Sequence, residues 1–106
     1  VTAALAAAER TAAQTRLLVK HFLAVLSERS PGASVEVRVP PYAAVQAVAG
    51  VRHTRGTPPA VVELDAETWI ALAVGDLTWS SAEGAGRVRA SGERADLSSL
   101  LPLVSS

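Results

Sequence analysis

Glu63 and Asp65 stand two residues apart, a spacing that would let two carboxylates share general-acid and general-base work. The same pair comes just before Trp69, where a polar strand end and a helix cap account for both residues more simply. Ser91 lies in Ala-Ser-Gly, without the Gly-x-Ser-x-Gly elbow that presents a nucleophile, and no histidine is near it in sequence to activate it. His21 and His53 are the two histidines; they form no His-x-x-x-His pair and no third ligand run accompanies them, which does not suit zinc. Gly84-Ala85-Gly86 precedes a strand rather than following one, so it reads as a turn and not as a pyrophosphate cradle. Arg87, Arg89 and Arg94 lack interleaved aromatic residues and have Glu93 and Asp96 among them, as on a solvated strand face. There is no cysteine, so thiol nucleophiles, thiolate metal sites and disulfides drop out together. The expectation is a chain with no catalytic residue, no metal and no cofactor.

Two groups of residues suit binding instead. Trp69, Leu72, Ala73, Trp79, Leu100, Leu101 and Leu103 can line an apolar ligand or simply pack against one another; their spacing serves both. Arg52, His53 and Arg55, in the run Arg-His-Thr-Arg-Gly, supply donors for a carboxylate or phosphate head group, with Gly56 permitting close backbone approach. An equally good account has the loop solvated, its charges paired with Glu63 or Asp65.

The elements that must position these groups follow from periodicity. From about Ala3 to Arg29 there is no Gly or Pro, and Leu5, Ala8, Ala12, Thr15, Val19, Phe22 and Leu26 recur at steps of three and four, with Leu18 and Val25 widening the stripe. This predicts one helix of roughly 40 Å, ended by Ser30-Pro31-Gly32. Val35, Val37 and Val39 alternate with Glu36 and Arg38 as a strand, closed by Pro40-Pro41. Residues 42–49 fit a helical step through Val45 and Val48, or a strand with Tyr42, Ala44, Gln46 and Val48 on one face; flanking turn signals favour the strand. A polar loop, Arg52 to Pro59, leads to a third strand, Ala60 to Leu64. Asp65 caps a short helix through Trp69, Leu72 and Ala73 that Gly75 stops, and Thr78 caps another through Trp79, Ala82 and Ala85. Arg87 to Ser91 is a half-buried strand, and Asp96 to Val104 is expected to form a last amphipathic helical turn or two.

At 106 residues the chain has room for one domain, residues 1–106. The expected class is α+β: a long N-terminal helix and short helices packed on one mainly antiparallel sheet. Ten basic residues balance ten acidic ones, which argues against nucleic acid or an anionic surface as partner. Thr2 to Ala8 has no basic segment before it and Leu17 to Leu26 is broken by Lys20 and His21, so neither reads as a signal peptide or a membrane span, and a cytoplasmic setting is expected.

Asp65 to Leu72, Gly75-Asp76-Leu77-Thr78, Ala82, Gly86 to Gly92, Leu97 and the leucine-rich tail together resemble the C-terminal half of the sterol carrier protein type 2 family. Val39-Pro40-Pro41 and His53 to Pro59 are similar to its compact bacterial branch, which extends the resemblance over nearly the whole chain. The resemblance implies helices on a mainly antiparallel five-stranded sheet, with an apolar tunnel between the layers for fatty acyl chains or sterols. Longer members have a charged hairpin with a tryptophan in mid-sheet, where this chain has the loop Arg52 to Pro59.

What the resemblance implies is lipid binding or lipid transfer: a fatty acyl, sterol or isoprenoid chain held in an apolar tunnel, the partner being a fatty acid, acyl-CoA or sterol. Burial of an acyl chain of roughly 16 carbons, at about 0.8 kcal/mol per methylene, supports micromolar binding without any catalytic group. A second reading is an interaction module with a filled core that forms a homodimer through the long helix, whose alanine-rich face can pack closely, or through an exposed sheet edge; a third is a non-catalytic accessory domain delivering substrate to an enzyme.

Overall fold

Thr11 has an extended backbone (φ −81°, ψ 165°), and its hydroxyl accepts from the Gln14 N–H at 3.1 Å while Gln14 Oε1 accepts from the Thr11 N–H at 2.9 Å. This reciprocal pair satisfies two otherwise free donors and starts helix α1, Ala12–Arg29. The computed structural model describes residues 11–49, 60–91 and 96–104. Against the helix expected from about Ala3, α1 begins at Ala12 and is about 27 Å long. The expected stripe positions Leu5 and Ala8 lie outside the described residues. Thr15, Val19, Phe22, Leu23 and Leu26 are buried, and Leu18 and Val25 half-buried; Ala12, in the first turn, is exposed.

After Ser30 the chain reverses through Gly32, whose φ of +146° suits glycine alone. A Cβ placed there would fall onto the Val48 carbonyl, because this turn lies flat against the end of the second strand. Val48 N–H donates to Ser30 O at 2.7 Å and Ser34 N–H donates to Val48 O at 3.0 Å. Gly32→Ala is therefore expected to cost about 2–3 kcal/mol through combined strain and clash, read as a lower urea midpoint at unchanged slope.

Among the described residues the sheet has four strands, β1 Val35–Val39, β2 Ala43–Ala47, β3 Ala60–Leu64 and β4 Val88–Ser91, in the order β2-β1-β3-β4. β1 pairs antiparallel with β2 and β3 antiparallel with β4, while β1 and β3 run parallel, so the sheet is mixed and mostly antiparallel. Opposite residues share a face, and the register sets Val35 against Ala47 and Ala60, and Val37 against Val45 and Val62. In β2 it is Ala43, Val45 and Ala47 that face the core, with Ala44 and Gln46 exposed on the other side. In β4 only Val88 is half-buried; Arg89, Ala90 and Ser91 are exposed, as on an edge strand.

Helix α2, Ala66–Val74, is capped by Asp65, whose carboxylate accepts from the Thr68 N–H at 2.7 Å, and stopped by Gly75 at φ +88°. Six of its residues are buried. Among them Trp69 donates its indole N–H to Val19 O at 3.3 Å, which ties α2 to α1. Thr68, also buried, has its hydroxyl satisfied by Arg87 Nε at 3.0 Å. Helix α3, Trp79–Gly84, starts on Thr78, whose hydroxyl accepts from the Ser81 N–H at 3.2 Å. Trp79 and Ala82 face inward, but Ala85, expected on that face, is the exposed residue that ends the helix.

The terminal helix expected over Asp96 to Val104 is reduced to one 3-10 turn, Ser98–Leu100. Pro102 is the cause: it has no N–H to donate and holds the residue before it extended, as Leu101 is (φ −110°, ψ 147°). Leu103 is buried all the same, and Leu103 and Val104 donate their N–H groups to Ala73 O at 2.8 and 3.2 Å. The core lies between the sheet and the α1–α2 layer. Among the described residues no helix is long and apolar enough to cross a membrane.

Candidate functional site

The seven apolar residues expected to line a ligand fall into three sets. Trp69, Leu72, Ala73 and Leu103 are sealed in the core beside Ile70 and Leu97. Trp79 and Leu101 instead wall an open cleft of about 430 Å³. Leu100 is half-buried against the core. The head-group candidates Arg52, His53 and Arg55 lie outside the described residues.

The cleft is set by three local stops in the chain. Gly75 ends α2, Thr78 starts α3, and Pro102 forces the C-terminal segment to run extended between them. Leu77, Trp79, Leu101 and Pro102 give it apolar walls; Ser80, Glu83, Asp96 and Ser98 give it a polar rim. Trp79 is 5 % exposed, and its Nε1 is buried with no hydrogen-bond partner among the described residues. A buried N–H without a partner costs about 1–3 kcal/mol, and Trp69, with Val19 O to bond, has no such cost. The Ser98 N–H donates to Asp96 Oδ1 at 2.8 Å and holds that carboxyl below its ordinary range, so the rim keeps its negative charge at neutral pH. Glu83 on the same rim is exposed. Among the described residues lining the cleft none is Lys, Arg or His.

The carboxylate pair that could have done acid–base work is differently employed. Asp65 is bonded to the first turn of α2, and Glu63 sits on the outer face of the sheet opposite Arg89. A shallow cleft of about 410 Å³ passes Glu63, Asp65, Arg87 and Arg89, but Arg87 Nε is occupied by the Thr68 hydroxyl. No group of three His, Cys, Asp or Glu side chains suited to a metal ion occurs among the described residues.

Leu77, Asp96 and Pro102 belong to the cleft without standing out in the sequence. Leu77 could be found there: an apolar residue just before a Thr cap is the position that fixes how the chain enters a helix. Asp96 and Pro102 reach the cleft only through the path of the C-terminal segment.

A family model described as bacterial SCP ortholog matches residues 9–103, from before the α1 cap to the Leu103 anchor. The chain belongs to this family of bacterial sterol carrier protein orthologs. The family match covers every element of the described residues, including both halves of the cleft, and also the segment outside the described residues between β2 and β3. No curated protein matches the chain.

Proposed function

We propose that this SCP ortholog is a lipid carrier, binding an apolar small molecule and performing no chemistry on it. The observation that carries the reading is the cleft: Leu77, Trp79, Leu101 and Pro102 form apolar walls that are open to solvent, in a member of a sterol-carrier family. Its size suits the lower range of small-molecule pockets. The segment that forms one wall also seats Leu103 in the core and is tied to α2 by N–H groups converging on one carbonyl, Ala73 O. A fatty acyl, sterol or isoprenoid tail would extend inward from the cleft by displacing this segment, so that packed leucines exchange neighbours rather than meet water.

Native mass spectrometry of freshly purified protein, followed by thermal melts with fatty acids, acyl-CoA and sterols, tests this. A ligand that binds only the folded state at about 100 times its Kd raises stability by about 2.7 kcal/mol. Leu101→Arg, at a half-buried wall position, is expected to remove the shift while leaving the unliganded melt close to wild type. A lipid-free mass with no shift across the panel overturns the proposal.

A second reading, self-association, has one observation in its favour: Leu17 is 69 % exposed on α1 with exposed Ala13 and Ala24 about one turn and two turns along the same face. A dimer mass in the same native spectrum, lost on Leu17→Lys, would support it.

A further inference from the structure

We propose that the C-terminal segment gates the cleft as a strap held at both ends: a ligand enters when Ser98 to Pro102 lift, while Leu97 and Leu103 stay seated in the core. The inference rests on the carrier reading and adds to it how the site opens. Burial sets the two ends of the strap apart from its middle. Leu97 and Leu103 are buried, whereas Ser98, Ser99 and Pro102 are exposed and Leu100 and Leu101 are half-buried.

Hydrogen bonding divides the segment at the same places. The Leu103 N–H donates to Ala73 O at 2.8 Å, which fastens that end to α2. In the middle, the Ser98 N–H donates to Asp96 Oδ1 at 2.8 Å and the Leu100 N–H to Leu97 O at 2.9 Å. Both of these acceptors belong to the segment itself, so the bonds hold the 3-10 turn together without tying it to a helix.

Local opening is easiest where it exposes the least apolar surface and breaks the fewest bonds to the rest of the fold. Peeling the strap from its end would expose Leu103 and strip Ala73 O of its donors. Lifting the middle exposes only Leu100 and Leu101, and it is the middle, through Ser98, Leu101 and Pro102, that lines the cleft. A tail lying beneath the lifted strap restores apolar contact to those two leucines. The ligand therefore favours the open state by contacts that the closed state does not offer, as a shift of population requires.

The test follows backbone amide exchange by NMR, with dodecanol and laurate as probes, each below its micelle concentration. Without a probe, the Leu100 amide should be protected at least about 100-fold less than the Leu103 amide. With either probe bound, Leu103 should keep or gain protection while that of Leu100 changes by about 5-fold or more. Leu100→Ala trims the seat of the strap and should speed tail uptake by about 5-fold in stopped-flow tryptophan fluorescence. Loss of Leu103 protection on binding means that the strap peels from its end and overturns the inference while the carrier reading stands. Binding that leaves Leu100 exchange unchanged, or a Leu100→Ala uptake rate equal to wild type, overturns it as well. If neither probe binds, the carrier reading falls and the gate falls with it.

Discussion

Trp69→Ala is expected to lower the unfolding free energy by about 3–5 kcal/mol, enough to leave much of the protein unfolded at 37 °C if its stability is typical of small domains. The ring is fully buried where α2 meets α1, and its N–H donates to Val19 O, so truncation leaves a large cavity and removes the bond between the two helices. Trp69→Phe separates these effects: most of the volume is kept and the bond is lost, for about 1–2 kcal/mol. Trp79 makes the comparison sharper. Its N–H has no partner among the described residues, so Trp79→Phe removes an uncompensated donor along with some packing and should cost less than Trp69→Phe. Urea unfolding followed by far-ultraviolet circular dichroism gives all three values. A Trp69→Ala midpoint within experimental scatter of wild type would show that α1 and α2 hold together without this residue.

The contrast between the two tryptophans also shows what local sequence can and cannot reveal. Asp65, Gly75 and Thr78 act through neighbours at most four residues away, so their capping and stopping roles can be read directly and the structure has them in place. The start of α1 is harder to see, since alanine favours a helix wherever it stands and an alanine-rich run has no obvious first residue. The Thr11–Gln14 pair is the mark that was there to be read, a hydroxyl followed at the third position by an amide. Pro102 marks the end of regular structure just as plainly, but the leucine spacing from Leu97 to Leu103 suggests a helix that the proline forbids. The parallel pairing of β1 with β3 has no local signature at all, because alternation tells which face is buried and not which strand lies alongside.

The candidate cleft is no easier to see in the sequence. Apolar residues at helical spacing look alike whether they fill a core or line a pocket; Trp69, Leu72, Ala73, Trp79 and Leu103 are all buried in the core, and of these Trp79 also lines the cleft, together with the half-buried Leu101. What divides them is the course of the C-terminal segment across the end of α2, a long-range feature. The acidic rim depends on the same course, since Asp96 and Glu83 are brought to one cleft from different segments.

Leu103→Asp should be the most damaging change in that segment, with a loss of more than about 3 kcal/mol. The side chain is fully buried, and a carboxylate there would have to remain charged in an apolar core, take up a proton, or pull the segment out into water. Pulling it out has its own cost. Ala73 O lies in the last turn of α2, where no intrahelical N–H is available to it, and it is satisfied by the N–H groups of Leu103 and Val104. Detachment therefore uncaps α2 as well as emptying the Leu103 position, which is why Leu103→Ala, which keeps the backbone bonds, is expected to cost less, about 2–3 kcal/mol. Val104→Asp provides the control, since that side chain is 36 % exposed and should move stability by less than about 0.5 kcal/mol. Urea midpoints for the three variants give the order, and acrylamide quenching of the two tryptophans distinguishes global unfolding from local release. If Leu103→Asp melts like wild type with both indoles still shielded, the segment neither anchors the core nor forms a fixed wall of the cleft.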